Sequence, residues 1–122
     1  EIPCHKIAET EDFLAFLDIN PLVEGHTLVI PKKEVDDLFD LEEELYVGLH
    51  LFAKVVAEAL RKTIECKRIG TAVVGLEVPH AHIHLVPLQQ VSDLSFEREK
   101  LTLSQTELAA IAARIRLNVP GS

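Results

Sequence analysis

Between Pro79 and Pro87 the chain reads PHAHIHLVP, and no other stretch constrains its fold as tightly. Three of the six histidines sit here, at every second residue. On a β-strand successive side chains point to opposite faces. His80, His82 and His84 would then share one face. Ala81, Ile83 and Leu85 would share the other and enter a core. Alternate strand residues lie about 6.5–7 Å apart, so three imidazoles can line a groove without stacking on one another.

The rest of the chain has to provide that core. Its 122 residues suffice for one compact domain spanning 1–122, and 48% of them are hydrophobic, which excludes disorder. The formal net charge of −8 repels a nucleic-acid backbone. A single nucleotide stays compatible with a locally positive pocket. Cys4 and Cys66 form no CxxC pair and read as reduced, structural thiols, which points to a cytoplasmic protein. No apolar run approaches the roughly 20 residues that span a bilayer, and no signal peptide is visible, so no membrane partner is expected. The chain opens at EIPCHK without a methionine, and residues upstream of Glu1 are expected.

The segment FLAFLD, Phe13 to Asp18, reads as a strand, and NPLVEGH after it carries Asn-Pro and Gly as turn signals. Thr27 to Ile30 is a second short strand, ended by Pro31, and the two make an antiparallel pair. Leu45, Leu49, Phe52, Val56, Ala59 and Leu60 recur at helical spacing, which predicts a long helix over Leu41 to Thr63. Glu42, Glu43 and Glu44 lie at its start, where the helix dipole favours anions. A third strand is expected at Ile69 to Val74 and a fourth at His80 to Leu88. A final helix is expected at Leu103 to Leu117, opened by the capping box Ser104 and Glu107. This order predicts an α+β fold, an antiparallel sheet with a long helix and a C-terminal helix on one side.

Three chemistries compete for the histidines. They could be hydrogen-bonded groups on a polar sheet face. His-x-His on a strand is also a bidentate unit for zinc, with His26, Glu34 or Glu77 as a third ligand. The remaining reading is nucleophilic work on phosphorus: a neutral imidazole attacks, and water later releases the covalent intermediate. Neighbouring protonated imidazoles would offset phosphoryl charge. An ordinary imidazole titrates near 6.5, so both forms are available near neutrality.

His-Ala-His-Ile-His-Leu-Val-Pro resembles the motif of the HIT (histidine triad) family, His-φ-His-φ-His-φ-φ with φ apolar. EDFLAFLDINPLVEGHTLVIPKK, Glu11 to Lys33, is similar to that family's strand–loop–strand ending in Gly-His-x-Leu-Val-x-Pro-Lys. The resemblance implies a HIT-like α+β domain that pairs into a homodimer and takes a purine nucleoside 5′-phosphate. It implies that His82 is the nucleophile, that His84 contacts the phosphate oxygens or the bridging atom, and that His80 orients the others through a hydrogen bond. Asp18 would hold the ribose hydroxyls. Phe16 and Ile19, with Ile7 or Leu17, would line the base pocket, and His26 would support the site. Taken by itself, Asp18 also reads as a turn cap, Phe16 as core, His26 as a partner for a loop carbonyl, and Lys32 and Lys33 as solvated.

The chain departs from the family pattern in its polar shell. Glu34 stands where a histidine often follows Pro-Lys-Lys. Gly75, Leu76, Glu77 and Val78 replace Gly-Gln-Ser/Thr-Val, so an anionic Glu77 beside a phosphate would either repel substrate or shuttle a proton to an amine leaving group. Leu88 and Gln89 follow Pro87, where an arginine is common. No cofactor is expected, since the family's zinc site uses an N-terminal CxxC. The preferred reaction is hydrolysis of a purine nucleoside phosphoramidate or related AMP conjugate. A dinucleoside polyphosphate hydrolase, and a nucleotide-binding module with little catalysis, are the alternatives.

Overall fold

A computed structural model describes residues 4–121. The order is β1 (Lys6–Glu9), β2 (Phe13–Leu17), β3 (Thr27–Pro31), α1 (Glu43–Thr63), β4 (Arg68–Ala72), β5 (Ile83–Leu88) and α2 (Gln105–Arg116), with 3-10 turns at Leu38–Asp40 and Val91–Leu94. The five strands form one sheet in the order β1-β2-β3-β5-β4, and every neighbouring pair is antiparallel. The α+β architecture read from the sequence is the observed one.

Alternation decides which face is covered. On β2, Phe13, Ala15 and Leu17 are buried while Leu14 and Phe16 are half-buried; on β3, Thr27, Val29 and Pro31 are buried while Leu28 and Ile30 are not. The buried set meets α1 through Leu49, Phe52, Ala53, Val56, Ala59 and Leu60, and α2 through Leu108, Ile111, Ala112 and Ile115. Phe13 and Phe52 stack across this interface with centroids 5.6 Å apart. With the helices on one face, the other is left open for chemistry.

Several boundaries differ from expectation, each for a local reason. β1 has no strand signal of its own: four residues, with Lys6 and Glu9 exposed and only Ile7 and Ala8 buried. It exists because β2 offers it an edge, and Leu17 N–H donates to the His5 carbonyl just before it. Leu41 closes a 3-10 turn in an extended conformation, so α1 starts at Glu43. α2 begins after Ser104, whose hydroxyl accepts from Glu107 N–H while the Glu107 carboxylate accepts from Ser104 N–H.

The histidine stretch is the largest departure. β5 starts only at Ile83, so His80 and His82 precede the strand. Here the backbone bonds outside the sheet: Ala81 N–H donates to the Val35 carbonyl, in the segment after β3, and His80 N–H to the Val78 carbonyl.

Gly25 makes the β2–β3 connection possible. Its φ is +91°, and a Cβ there would lie 3.1 Å from Ile64 and 3.2 Å from Pro87. Gly25→Ala should therefore destabilise the fold by about 1–3 kcal/mol through backbone strain and crowding. Urea unfolding checks this, and an unchanged midpoint would show that the turn tolerates a side chain.

Candidate active site

The floor of the site is one cross-strand row. Phe16 lies opposite Leu28, Leu28 opposite His84, and His84 opposite Ala72. Opposed residues share a face, and this row falls on the face the helices leave open. A cleft of about 760 Å³ lies over it, with His80, His82, Asp18, Asn20 and Ile30 also in its wall. One rim is the segment Val74 to Val78; Phe96 and Lys100 close the cleft from the stretch after β5.

Backbone groups set the protonation of the imidazoles. Leu22 N–H, a fixed donor, donates to His26 Nδ1 over 3.0 Å. That nitrogen is an acceptor, so neutral His26 carries its proton on Nε2. Nε2–H then donates to His84 Nδ1 over 2.9 Å, which leaves the His84 proton on Nε2. His82 is set the opposite way: its Nδ1–H donates to the His80 carbonyl over 2.7 Å, leaving a lone pair on Nε2. The His80 ring donates from Nε2 to the Pro31 carbonyl over 2.7 Å. It is thus the main chain of His80, not its ring, that holds His82. The His82 and His84 rings meet edge to face with centroids 4.9 Å apart, His82 lying just before β5 and His84 within it.

Burial keeps the inner pair neutral. Desolvation pushes His26 down to about 4, and the nearby Lys100 charge acts in the same direction. Desolvation also pushes His84 down to about 4, reinforced by His26 and His82 and opposed by Asp18. The Phe96 ring lies 4.7 Å from His84 and 6.4 Å from His26, centroid to centroid, and helps exclude water.

Asp18 sits at the end of β2 with both roles read from the sequence open to it. One oxygen accepts from Asn20 N–H over 2.8 Å, as a turn cap does; the other lies 3.7 Å from His26 Nε2. Glu77 is on the rim. Ile19 is exposed and outside the cleft wall, while Ile7 and Leu17 are wholly in the core. Phe16 alone of the expected base-pocket residues faces the cleft. Glu34 is exposed outside it, and Lys32 pairs with Glu9 over 2.6 Å. A metal would find its donors elsewhere than in His80 and His82: among the described residues, the one clustered set is Asp18, His26 and His84, with ligand atoms within 4.8 Å of one another. An ion there would have to break the His26–His84 bond.

Leu28 and Ile30 were not read as wall residues; their alternation with Thr27, Val29 and Pro31 is the signal that would have found them. Phe96 and Lys100 carried no signal, because they lie in an irregular stretch without periodicity.

A HIT domain family model matches residues 1–91. The chain belongs to the HIT family. An uncharacterized HIT-like protein of Borreliella burgdorferi is 32% identical over 127 residues, covering 98% of this chain and 91% of its own length. Adenosine 5′-monophosphoramidase HNT1 of Saccharomyces cerevisiae is 39% identical over 88 residues, covering 71% of this chain but 56% of the yeast protein. A HIT-like protein of Bartonella henselae superimposes with a TM-score of 0.82 at 28% identity, over 96% of this chain and 87% of its own. Phe96 and Lys100 lie beyond the residues that the HIT model matches.

The buried histidine pair predicts how stability depends on pH. Unfolded, each imidazole titrates at its ordinary 6.5; folded, at about 4. Between these values the unfolded chain binds more protons, so stability is full above pH 6.5 and is lost as pH falls toward 4. The loss should be on the order of a few kcal/mol, and above about pH 5 ordinary carboxylates contribute little to it. Urea unfolding at a series of pH values measures it; a flat profile from pH 7 to 5 would contradict a neutral buried pair.

Proposed function

We propose that this chain hydrolyses purine nucleoside phosphoramidates, or related AMP conjugates, at the α-phosphorus through a nucleotidyl-histidine. One observation carries the reading. A lone pair on His82 Nε2 and a proton on His84 Nε2 belong to rings that meet in the same cleft, and each state follows from backbone hydrogen bonds. The similarity to a yeast adenosine 5′-monophosphoramidase supports the same chemistry.

The step balances with these groups. His82 Nε2 attacks phosphorus, and the bond from phosphorus to the leaving nitrogen breaks with its electron pair. The departing nitrogen takes its proton from water at the open mouth of the cleft, while His84 Nε2–H, held in place by His26, donates a hydrogen bond to a phosphoryl oxygen or the bridging nitrogen. Water then attacks the nucleotidyl-histidine, the bond to His82 breaks, AMP leaves, and the proton that water loses passes to solvent, which replaces the one taken by the amine. No metal takes part in these steps. Asp18 would receive the ribose hydroxyls, and the base would lie against Phe16, Leu28 and Ile30. Glu77 on the rim suits an amine leaving group, whose conjugate acid a carboxylate attracts.

His82→Ala should lower AMP release from an adenosine phosphoramidate by at least about a thousandfold while AMP still binds. Steady-state release by both proteins, side by side, is the test. Unimpaired release from the variant would refute the nucleophile; AMP binding without release from the native chain would leave a binding module.

The working unit we propose is a homodimer. Val47, Leu51 and Val55 form an exposed apolar stripe at four-residue spacing along α1, and β4 is a sheet edge. Glu43 and Glu44 lie at one end of the stripe, and Lys54, Arg61 and Lys62 toward the other. Two copies related by a twofold axis, with α1 antiparallel to its mate, would bring apolar groups together and oppose unlike charges. Leu51→Glu should convert the dimer to a folded monomer in light scattering. A native chain that is monomeric at micromolar concentration would overturn this arrangement.

A further inference from the structure

Nucleotide chemistry at phosphorus needs positive charge beside the phosphoryl oxygens, and the sequence places no arginine after the histidine motif. His26 and His84 are neutral, since burial holds both near 4. Among the described residues, Lys100 is the one lysine or arginine in the cleft wall. It is exposed, pairs with no carboxylate among the described residues, and donates from its ammonium to the Phe96 carbonyl over a long 3.4 Å. By contrast Lys32, Arg98 and Arg114 lie against carboxylates.

Lys100 is held over the cleft by a built segment. Asp93 is buried after β5, and its carboxylate accepts from Gln89 N–H at 2.8 Å, Gln90 N–H at 3.1 Å and the Arg98 guanidinium at 2.9 Å. Arg98 also donates to the Ser92 carbonyl over 3.3 Å, which closes the segment on itself. Its far end is tied across the cleft: Leu101 N–H donates to the Pro21 carbonyl over 2.8 Å, in the loop that also carries His26. Between these two anchors, Phe96 packs on His84 and Lys100 faces the imidazoles.

We propose that Lys100 is a substrate-binding residue, the cation that receives the phosphate of a nucleoside 5′-phosphate or its conjugates. The inference rests on the nucleotide reading above and extends it to a residue outside the matched HIT domain. An ammonium on a flexible stem suits a phosphoryl group whose charge shifts during attack and release, as a point charge that needs no fixed geometry. It also lets an acidic chain, with net charge −8, attract a dianionic ligand to one place.

The test compares AMP with adenosine, which differ only in the phosphate, by calorimetric titration of the native chain, Lys100→Gln and Lys100→Arg. The native chain should prefer AMP, and the preference should shrink as salt rises. Lys100→Gln should weaken AMP binding by about tenfold, leave adenosine binding unchanged and keep the native unfolding midpoint, since the side chain is exposed. Lys100→Arg should keep most of the preference. If Lys100→Gln keeps the native ratio of AMP to adenosine affinity, the assignment is wrong and the nucleotide reading stands. If the native chain binds both equally, or neither, the assignment falls with the phosphate preference itself. Lost AMP preference in Lys100→Gln, with no His82-dependent release in the native chain, would support the phosphate site and overturn the hydrolase.

Discussion

The hydrogen bond between His26 and His84 is the constraint on which the site depends. Two imidazoles buried against a sheet are costly unless neutral and fully bonded. The Leu22 main chain begins the sequence of bonds, His26 passes it on, and His84 ends with a proton available to the cleft. Every feature around it serves that geometry. Gly25 turns the chain so that His26 is placed just before β3, the Thr27 hydroxyl donates to the Gly25 carbonyl over 2.8 Å, and Phe96 covers the pair.

The fold makes that arrangement affordable by keeping its two faces separate. Both helices lie on one side and bury the alternating set Phe13, Ala15, Leu17 and Val29. The intervening residues are released to the other side, where the row Phe16, Leu28, His84 forms a floor that is apolar at one end and polar at the other. That gradient is what a nucleotide has along its length, from flat base to charged phosphate. The bend before β5 adds the second element: by leaving the ladder, the His80 carbonyl is free to orient His82.

Much of this was legible in the chain. Period-two burial on β2 and β3, the helical stripe from Leu45 to Leu60, and the Ser104–Glu107 capping box are local patterns, and local patterns survive in sequence. The histidine motif marked the site for the same reason. What escaped was non-local. β1 is too short to declare itself and forms on an edge that β2 provides. Ile19, read as part of a base pocket, is exposed, since β2 ends at Leu17 and its alternation no longer applies. Phe96 and Lys100 lie in a stretch with no period, delivered by the buried Asp93 and its Arg98 partner.

The sequence by itself therefore determined the family, the α+β class, the faces of the long helix and the identity of the imidazoles. It did so because each rests on residue types at fixed short spacings. Tertiary structure decided which nitrogen of those imidazoles carries the proton and the origin of the cation beside them. Both depend on atoms far apart in the chain: His26 with His84, and Pro21 with Leu101. A proton's position on a ring is set by what faces each nitrogen, and only the folded chain brings those partners together.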